Sequence, residues 1–289
     1  RNRCVWVFQT EALLFYEAKV ERKALVLDAI AKWIELWAYK NCDILVCISG
    51  TLRDVLVLEY GIPENKIVLV PNGVDINFIN PSLHESKRLF DGFTICFVGS
   101  LYKWAGLDLL LKAIYDLGKE GFDISLVIVG DGEMQEIWEK LSRELNLSDK
   151  VRFLGRLRWQ EVPKYISGSD ICFSGQKELQ DGKMYLSPMK LYEYMAMAKP
   201  VIASAFEDSK KLVIPGETGF LFDSNDRGQL KNAIRESFLL RDSLPQMGLA
   251  ARKEIEKKHS WHARVQALLN KLTQVRHSKT VALENANGM

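Results

Sequence analysis

The run Ile95-Cys96-Phe97-Val98-Gly99-Ser100 is apolar without interruption until it breaks at a glycine and a small polar residue, and Leu126-Val127-Ile128-Val129-Gly130-Asp131 breaks in the same way. Further strand-like runs follow at Val151–Leu154, Ile171–Phe173, Val201–Ala203 and Phe220–Phe222, with helical segments between them. A strand with one wet face alternates apolar and polar residues. These runs do not alternate, so the sheet they form is covered on both faces. Strand and helix in alternation, joined by right-handed crossovers, predict an α/β fold with a Rossmann-like, doubly wound parallel sheet. Such sheets gather ligands beyond the carboxyl ends of their strands, where loops feed helix N-termini. Fold class names no chemistry, but it directs the search to the glycine-marked strand ends.

Upstream of residue 92 the pattern is less regular. A strand-like run, Cys4–Phe8, begins almost at once after Arg1. Glu11 and Glu17 argue against a signal peptide, and the expectation is that an upstream portion is missing. From Val20 to Tyr39 the apolar residues Val26, Ile30, Trp33, Ile34 and Trp37 recur at helical spacing, with Arg22, Lys23 and Lys32 interleaved. That predicts an amphipathic helix. Packing on its own domain is one reading of it; two tryptophans among lysines also suit a membrane surface. Asp43–Ser49 reads as a buried strand, and Thr51 to Tyr60 as a helix with Thr51 and Asp54 at capping-box spacing, stopped by Gly61 and Pro63. A short strand, Ile67–Val70, and the turn Pro71-Asn72-Gly73 lead through Asn80 and Pro81 into a polar stretch, where the domain boundary is expected.

With 289 residues, 47% hydrophobic and 26% charged, the chain suits a globular protein of about two domains. Its 39 Lys and Arg are interspersed with 37 Asp and Glu, so no basic face marks a nucleic-acid binder. No cysteine pair has CxxC spacing, and Cys47, Cys96 and Cys172 sit inside apolar runs. They read as core residues, which argues against a disulfide framework or zinc knuckle and makes a reducing cytoplasm the expected setting. No apolar stretch approaches the ~18 residues of a membrane span. GxxxxGK(S/T), HExxH and GxSxG are absent, and Gly130-Asp131-Gly132 lacks the third glycine of a dinucleotide fingerprint. The loop of Gly130 to Glu133 reads first as a tight turn. His84, His259, His262 and His277 fall outside the strand-end loops and read as surface or interdomain residues.

The segment Ser187-Pro188-Met189-Lys190-Leu191-Tyr192-Glu193-Tyr194-Met195-Ala196-Met197-Ala198 carries the most chemistry. Ser187 suits an N-cap and Pro188 the first helical position. The helix is apolar nearly all round and so belongs in the interior, yet it carries Lys190 and Glu193, three apart on one face. Two explanations stand. A local salt bridge on a narrow solvated strip contributes at most ~0.5 kcal/mol and needs no ligand. Alternatively the helix N-terminus, with its free N–H groups and about half a positive charge, meets an anion to which Lys190 adds a formal charge. Glu193, one turn deeper, then accepts hydrogen bonds from a vicinal diol such as a ribose. That second arrangement describes a nucleotide-diphosphate pocket.

Several segments now fall into one series. Val70-Pro71-Asn72-Gly73-Val74-Asp75, Phe97-Val98-Gly99-Ser100-Leu101 with Trp104-Ala105-Gly106, Val129-Gly130-Asp131-Gly132 and Phe153-Leu154-Gly155-Arg156 precede the Ser187 segment. Pro200-Val201-Ile202-Ala203-Ser204, Gly216-Glu217-Thr218-Gly219-Phe220-Leu221 and Ser260-Trp261 follow it. In order and spacing, over about residues 41–275, they resemble the group 1 family of retaining, nucleotide-sugar-dependent glycosyltransferases with the GT-B fold. The resemblance implies sugar transfer from a UDP- or GDP-type donor to a glycan, lipid-linked or small-molecule acceptor, with no metal or other cofactor. The lack of an Asp-x-Asp pair, which metal-dependent sugar transferases of the other common architecture need, agrees with it.

It also implies an organisation: residues 1–80 as a partial amino-terminal, acceptor-side lobe, 81–258 as the nucleotide-sugar lobe, 259–275 as a helix bracing the first lobe, and 276–289 as a tail. Lys190 and Glu193 are the implied catalytic pair, Glu193 being the second acid of the family's acid-x7-acid motif, on the ribose hydroxyls. Lys190 and the loop amides near Gly99 and Ser100 and from Ser187 through Pro188 to Met189 are the implied diphosphate contacts. Arg156 and Leu157 are placed near the base, mostly through backbone. Stabilising the leaving diphosphate is the implied catalytic contribution.

The sequence departs from the family pattern at Tyr185, where the motif's first acid is expected, at Ser100, where many members carry Arg, and at Ala105, where many carry Lys. Lys103 is the candidate to compensate, since one lost charge-assisted contact costs ~1.5–3 kcal/mol. The family's acceptor-side histidine and glycine-rich loop are not visible near Gln9-Thr10-Glu11, where Gln9 is the one candidate for the histidine's place. An inactive nucleotide-sugar-binding lobe that regulates or completes a partner subunit is therefore the alternative to an enzyme. The basic helix around Trp261 to Leu272 has bracing and anionic lipid as its two readings. The expected location is cytoplasmic, with peripheral membrane contact left open.

Overall fold

A computed structural model of the chain describes residues 4–16, 18–19, 27–177, 187–266 and 268–274. They divide between two compact units: the described residues of 4–73 with Ser187 and those of 261–274, and residues 74–177 with 188–260.

The first unit holds β1 (Val7–Thr10), a single helical turn α1 (Leu14–Tyr16), α2 (Asp28–Asn41), β2 (Ile44–Cys47), α3 (Gly50–Leu58) and β3 (Ile67–Leu69). The strands form a parallel sheet in the order β1-β2-β3, with Val7 opposite Ile44 and Leu45 opposite Ile67. Every residue of β2 is buried, as its unbroken apolar run requires. The cap of α3 is Ser49, whose extended backbone lets its Oγ accept from Leu52 N at 3.1 Å. Thr51 already lies inside the helix, so the expected cap was two residues late. Glu35 of α2 is buried and engaged: its carboxylate accepts from Leu14 N at 2.9 Å and Phe15 N at 3.0 Å, and the Tyr39 hydroxyl donates to it. Burial, seconded by Glu35, pushes the Tyr39 phenol far up.

The helix expected over Val20–Tyr39 is described only from Asp28 onward; Val20 to Val26 lie outside the described residues. It turns inward Glu35, Ala38 and Tyr39. The anticipated apolar face points the other way, with Ile30 53%, Trp33 64%, Ile34 54% and Trp37 50% exposed. The reading in which that face packs on its own domain is therefore not what the described residues show.

The second unit is the doubly wound sheet. Its strands are β4 (Phe93–Val98), β5 (Ile124–Val129), β6 (Val151–Phe153), β7 (Ile171–Ser174), β8 (Val201–Ser204) and β9 (Gly219–Phe222), all parallel, in the order β6-β5-β4-β7-β8-β9. The connecting helices are α4 (Leu107–Lys119), α5 (Gln135–Glu144), α6 (Val162–Ser167), α7 (Met189–Ala196), α8 (Glu207–Leu212), α9 (Arg227–Leu239) and α10 (Leu244–Lys258). Successive strand side chains point to opposite faces, and β4 shows it: Ile95 and Phe97 join the core beneath α4 and α9, while Cys96 joins that beneath α7 and α10. Leu107, Leu110, Leu111, Ile114 and Leu117, at helical spacing, are the buried stripe of α4.

The boundary lies earlier than Asn80. Val74 bridges Ser260 and donates its N–H to His259 O at 3.1 Å, and Ile79 is in the α7/α10 core, so residues 74–80 fold with the second unit. A turn rich in polar residues mimics a linker in sequence even where its few apolar side chains are anchored. Residues 261–266 and 268–274 are helical and group with the first unit, where Arg264 Nε donates to Asn72 O at 3.3 Å. Residues 276–289 and His277 lie outside the described residues. Cys42, Cys47, Cys96 and Cys172 are buried thiols. His84 bonds Phe78 O at 2.8 Å, His259 lies against the Tyr192 ring and His262 is exposed. No helix among the described residues is long and apolar enough to cross a membrane.

Candidate functional site

The strand order reverses between β4 and β7, which is where a doubly wound sheet opens a crevice at its carboxyl edge. A cavity of about 370 Å³ lies there. Its wall is the loop after β4 (Val98, Gly99, Ser100, Tyr102, Trp104, Ala105), Gln176 after β7, and the start of α7 with Pro188, Met189, Lys190 and Glu193. That volume is within the ~300–1,000 Å³ usual for small-molecule pockets.

Two glycines shape it. Gly99 has φ +145°, and a Cβ there would stand 2.7 Å from Lys190 Nζ. Gly130, at φ +133°, lets the β5 loop come so close that a Cβ would lie 2.0 Å from the Gly99 carbonyl oxygen. The loops are then laced together by Gly99 N to Val129 O (3.0 Å) and Leu101 N to Asp131 O (2.7 Å). The Gly130 turn thus supports the cavity loop from behind.

The placement of α7 follows from its composition. Leu191, Tyr192, Tyr194, Met195 and Ala196 are buried, leaving Lys190 and Glu193 as part-buried charges on the cavity side. Tyr194 fixes the register, its hydroxyl accepting from Val98 N at 2.7 Å and donating to Val98 O at 3.2 Å. Lys190 Nζ lies 4.1 Å from the centre of the Phe97 ring. Desolvation lowers the Lys190 ammonium to about 8, opposed by the negative charge of Glu193. Desolvation likewise raises the Glu193 carboxyl, opposed by Lys190. Among the described residues the two side chains form neither a hydrogen bond nor an ion pair with each other, so they are not the solvated salt bridge that their spacing also allowed. Holding a cation and an acid out of water without contact between them is unfavourable. Perturbed charges lining a cleft mark a binding site: here one that offers a cation and helix N–H groups to an anion, and an acceptor to hydroxyls.

Gly99, Ser100, Pro188, Met189, Lys190 and Glu193 are thus brought together. Lys103 is exposed on a 3-10 turn, and it is its neighbours Tyr102 and Trp104 that line the cavity. Arg156 is exposed and Leu157 packs against the cluster of Val127, Val129 and Tyr165; neither lines this cavity, although Gly155 O accepts from Gly130 N at 2.8 Å. Ser187 does not cap α7. Its Oγ accepts from Asn72 N at 3.1 Å, and the cap position is Pro188, extended at ψ 109°. Proline here stops the helix one residue short of the start expected of it. Ala105 lines the cavity, Gln9 is exposed and bonded to Glu11, and Tyr185 lies outside the described residues.

Sequence reasoning gave no role to Phe97, to Gln176, or to the Tyr102–Trp104 pair, whose rings stack at 4.7 Å and 22°. Two aromatics flanking a basic residue in a strand-end loop were the available signal for that pair.

A family model described as Glycosyl transferases group 1 matches residues 81–254, three fifths of the chain, and one described as Glycosyltransferase Family 4 matches residues 5–78. The chain belongs to the group 1 glycosyltransferases. An uncharacterized glycosyltransferase of Methanocaldococcus jannaschii is 30% identical over 201 residues, 68% of this chain and 49% of that protein. The fold is shared with sucrose-phosphate synthase of Thermosynechococcus elongatus, at TM-score 0.74 and 22% identity, covering 98% of this chain and 69% of that one. It is shared also with HepE of Anabaena, solved with UDP and glucose, at TM-score 0.73 and 17% identity, covering 92% and 71%. These are GT-B glycosyltransferase folds, and this group 1 chain has their Rossmann-like parallel sheet. It spans about half the length of the curated relatives it matches.

Proposed function

We propose that this group 1 chain binds a UDP- or GDP-type nucleotide sugar in the β4/β7 cavity and serves its transfer, with retention, to a glycan, lipid-linked or small-molecule acceptor. The observation that carries the reading is the part-buried pair Lys190 and Glu193, which face one cavity without meeting each other. A diphosphate supplies the negative charge that Lys190 lacks, and the first N–H groups of α7 complete its shell. A ribose supplies hydroxyl donors to Glu193. The UDP held by the structurally similar HepE agrees in kind.

Lys190 then does its chemical work on the leaving group. As the glycosidic bond breaks, charge accumulates on the departing diphosphate, and a cation already fixed against Phe97 stabilises it without having to move. Ser100 and Ala105 contribute no charge, so Lys190 is the cation of the cavity wall among the described residues. Because protein groups meet the phosphates in this scheme, binding is expected to persist in EDTA.

Thermal melting with UDP, GDP and their sugar conjugates tests the proposal. One of these nucleotides is expected to raise the melting temperature of the wild type, and Glu193→Ala to abolish the rise with the fold intact. No shift with any of them would remove the proposal's support. Release of free nucleotide on adding acceptor extracts would then distinguish transfer from binding alone.

A further inference from the structure

The aromatic pair on the cavity wall has no part in holding phosphates or ribose and calls for its own explanation. Tyr102 and Trp104 stack at 4.7 Å and 22°, so each ring stiffens the other. Their loop is held on both flanks. Toward β5, Leu101 N donates to Asp131 O at 2.7 Å; toward β7, Lys177 N donates to Trp104 O at 2.8 Å, and Lys177 Nζ pairs with Asp108 of α4 at 2.8 Å. The rings are therefore in place before any ligand arrives, which lowers the ordering cost of binding. Gln176, next to Lys177, lines the same wall, and its side-chain amide has no hydrogen-bond partner among the described residues.

We infer that Tyr102, Trp104 and Gln176 form the subsite for the transferred sugar, and that it takes an uncharged hexopyranose; this rests on the nucleotide-sugar reading of the cavity. Position separates the sugar from the base, the other ring system of such a donor. The two stand at opposite ends of the ribose and diphosphate, so they leave Lys190 and Glu193 in opposite directions. Only the sugar must meet an acceptor, and the pair stands at the open side of the cavity, with Tyr102 38% exposed.

Chemistry argues for an uncharged pyranose. Such a ring has an apolar side, where several C–H bonds point the same way, and a rim of hydroxyls. The face of an aromatic ring is the negative part of its quadrupole, which C–H hydrogens meet favourably, and an amide both donates to and accepts from hydroxyls. Indole and phenol faces beside a free amide match that outline. This end of the wall also carries no available charge: Ser100 and Ala105 are neutral, Lys177 is occupied by Asp108, and Lys103 stands outside the wall. A sugar carboxylate would lose its water there without gaining a cation.

Titration calorimetry of the full chain tests this with UDP, UDP-glucose and UDP-glucuronate, or with GDP, GDP-mannose and GDP-mannuronate, according to the base that stabilises the wild type. Trp104→Leu is expected to weaken the neutral conjugate about tenfold and the bare diphosphate less than about twofold. Trp104→Phe, which keeps a ring face, should retain most of the conjugate's affinity, and Gln176→Ala should weaken the conjugate alone by about fivefold or more. Wild type should prefer the neutral conjugate to the uronate by about tenfold. Melts of the empty variants check that each is folded. Equal weakening of conjugate and bare diphosphate by Trp104→Leu would put the base on the rings and overturn the inference. So would no weakening of either, or a uronate bound as tightly as the neutral sugar. If no nucleotide binds the wild type, the nucleotide-sugar reading itself fails and takes this subsite with it. If the bare diphosphate binds and responds to Lys190→Met while Trp104→Leu and Gln176→Ala leave the conjugate unchanged, the sugar subsite alone fails.

Discussion

Lys190→Met separates what Lys190 costs the empty protein from what it contributes to binding. Burial lowers the ammonium from 10.5 to about 8, and at ~1.4 kcal/mol per unit the charged form is disfavoured by at most roughly 3 kcal/mol. Methionine has a similar unbranched shape and carries no charge to desolvate. Against the gain stand the lost contact with the Phe97 ring, ~0.5–2 kcal/mol, and Glu193, whose carboxyl rises further once the neighbouring cation is gone. The empty variant is therefore expected to be about as stable as wild type or about 1 kcal/mol more so, a rise of roughly 2–4 °C. Its response to the nucleotide diphosphate should fall by about tenfold to a hundredfold in affinity, the loss of a charge-assisted contact. Melting and urea unfolding, each with and without nucleotide, read both quantities on one sample. An empty variant destabilised by more than about 2 kcal/mol would mean that Lys190 is a structural cation, and unchanged nucleotide affinity would refute its role in binding.

The depressed Lys190 value fixes a pH dependence with a definite sign. Nucleotide affinity should be level below about pH 8 and fall about tenfold per unit above it, as the ammonium deprotonates. Between about 8 and 10.5 the unfolded chain binds the extra proton, so the stability of empty wild type relative to Lys190→Met should rise with pH across that window, read by urea unfolding. Gly130→Ala forces a Cβ to 2.0 Å from the Gly99 carbonyl oxygen at φ +133°, and should cost about 3 kcal/mol or more and shrink the nucleotide-induced melting shift; near-neutral stability would contradict the loop contact. Tyr194→Phe removes the hydroxyl that bonds both the N–H and the C=O of Val98, and about 1–3 kcal/mol of stability should go with it in urea unfolding.

The sheet was legible because continuous apolar runs admit few alternatives: the strand-like segments from Ile95 to Phe222 fall on β4 to β9, each moved by a residue or two. Lys190 and Glu193 were legible as a charged pair in an otherwise apolar helix. Helix starts were not, because Ser49 and Thr51 are both competent caps, and only the extended backbone of Ser49 decides between them. Ser187 was misplaced for a similar reason: a long-range acceptor role toward Asn72 competes with local capping, and spacing does not reveal it. The Phe97 ring under Lys190 joins positions far apart in the chain, and no local pattern encodes that meeting. The face of α2 shows the opposite limit, since helical period finds an apolar stripe without telling which way it points.

Titration calorimetry with matched ligands is the sharpest examination of the cavity. Using whichever base stabilises the wild type, the nucleoside diphosphate, its monophosphate and its 2′-deoxy form would be compared on wild type, Lys190→Met and Glu193→Ala. The diphosphate should bind wild type more tightly than either analogue, with Lys190→Met erasing the advantage over the monophosphate and Glu193→Ala erasing the advantage over the deoxy form. Equal affinities for all three ligands on wild type, or preferences that survive both substitutions, would place the phosphates and ribose elsewhere.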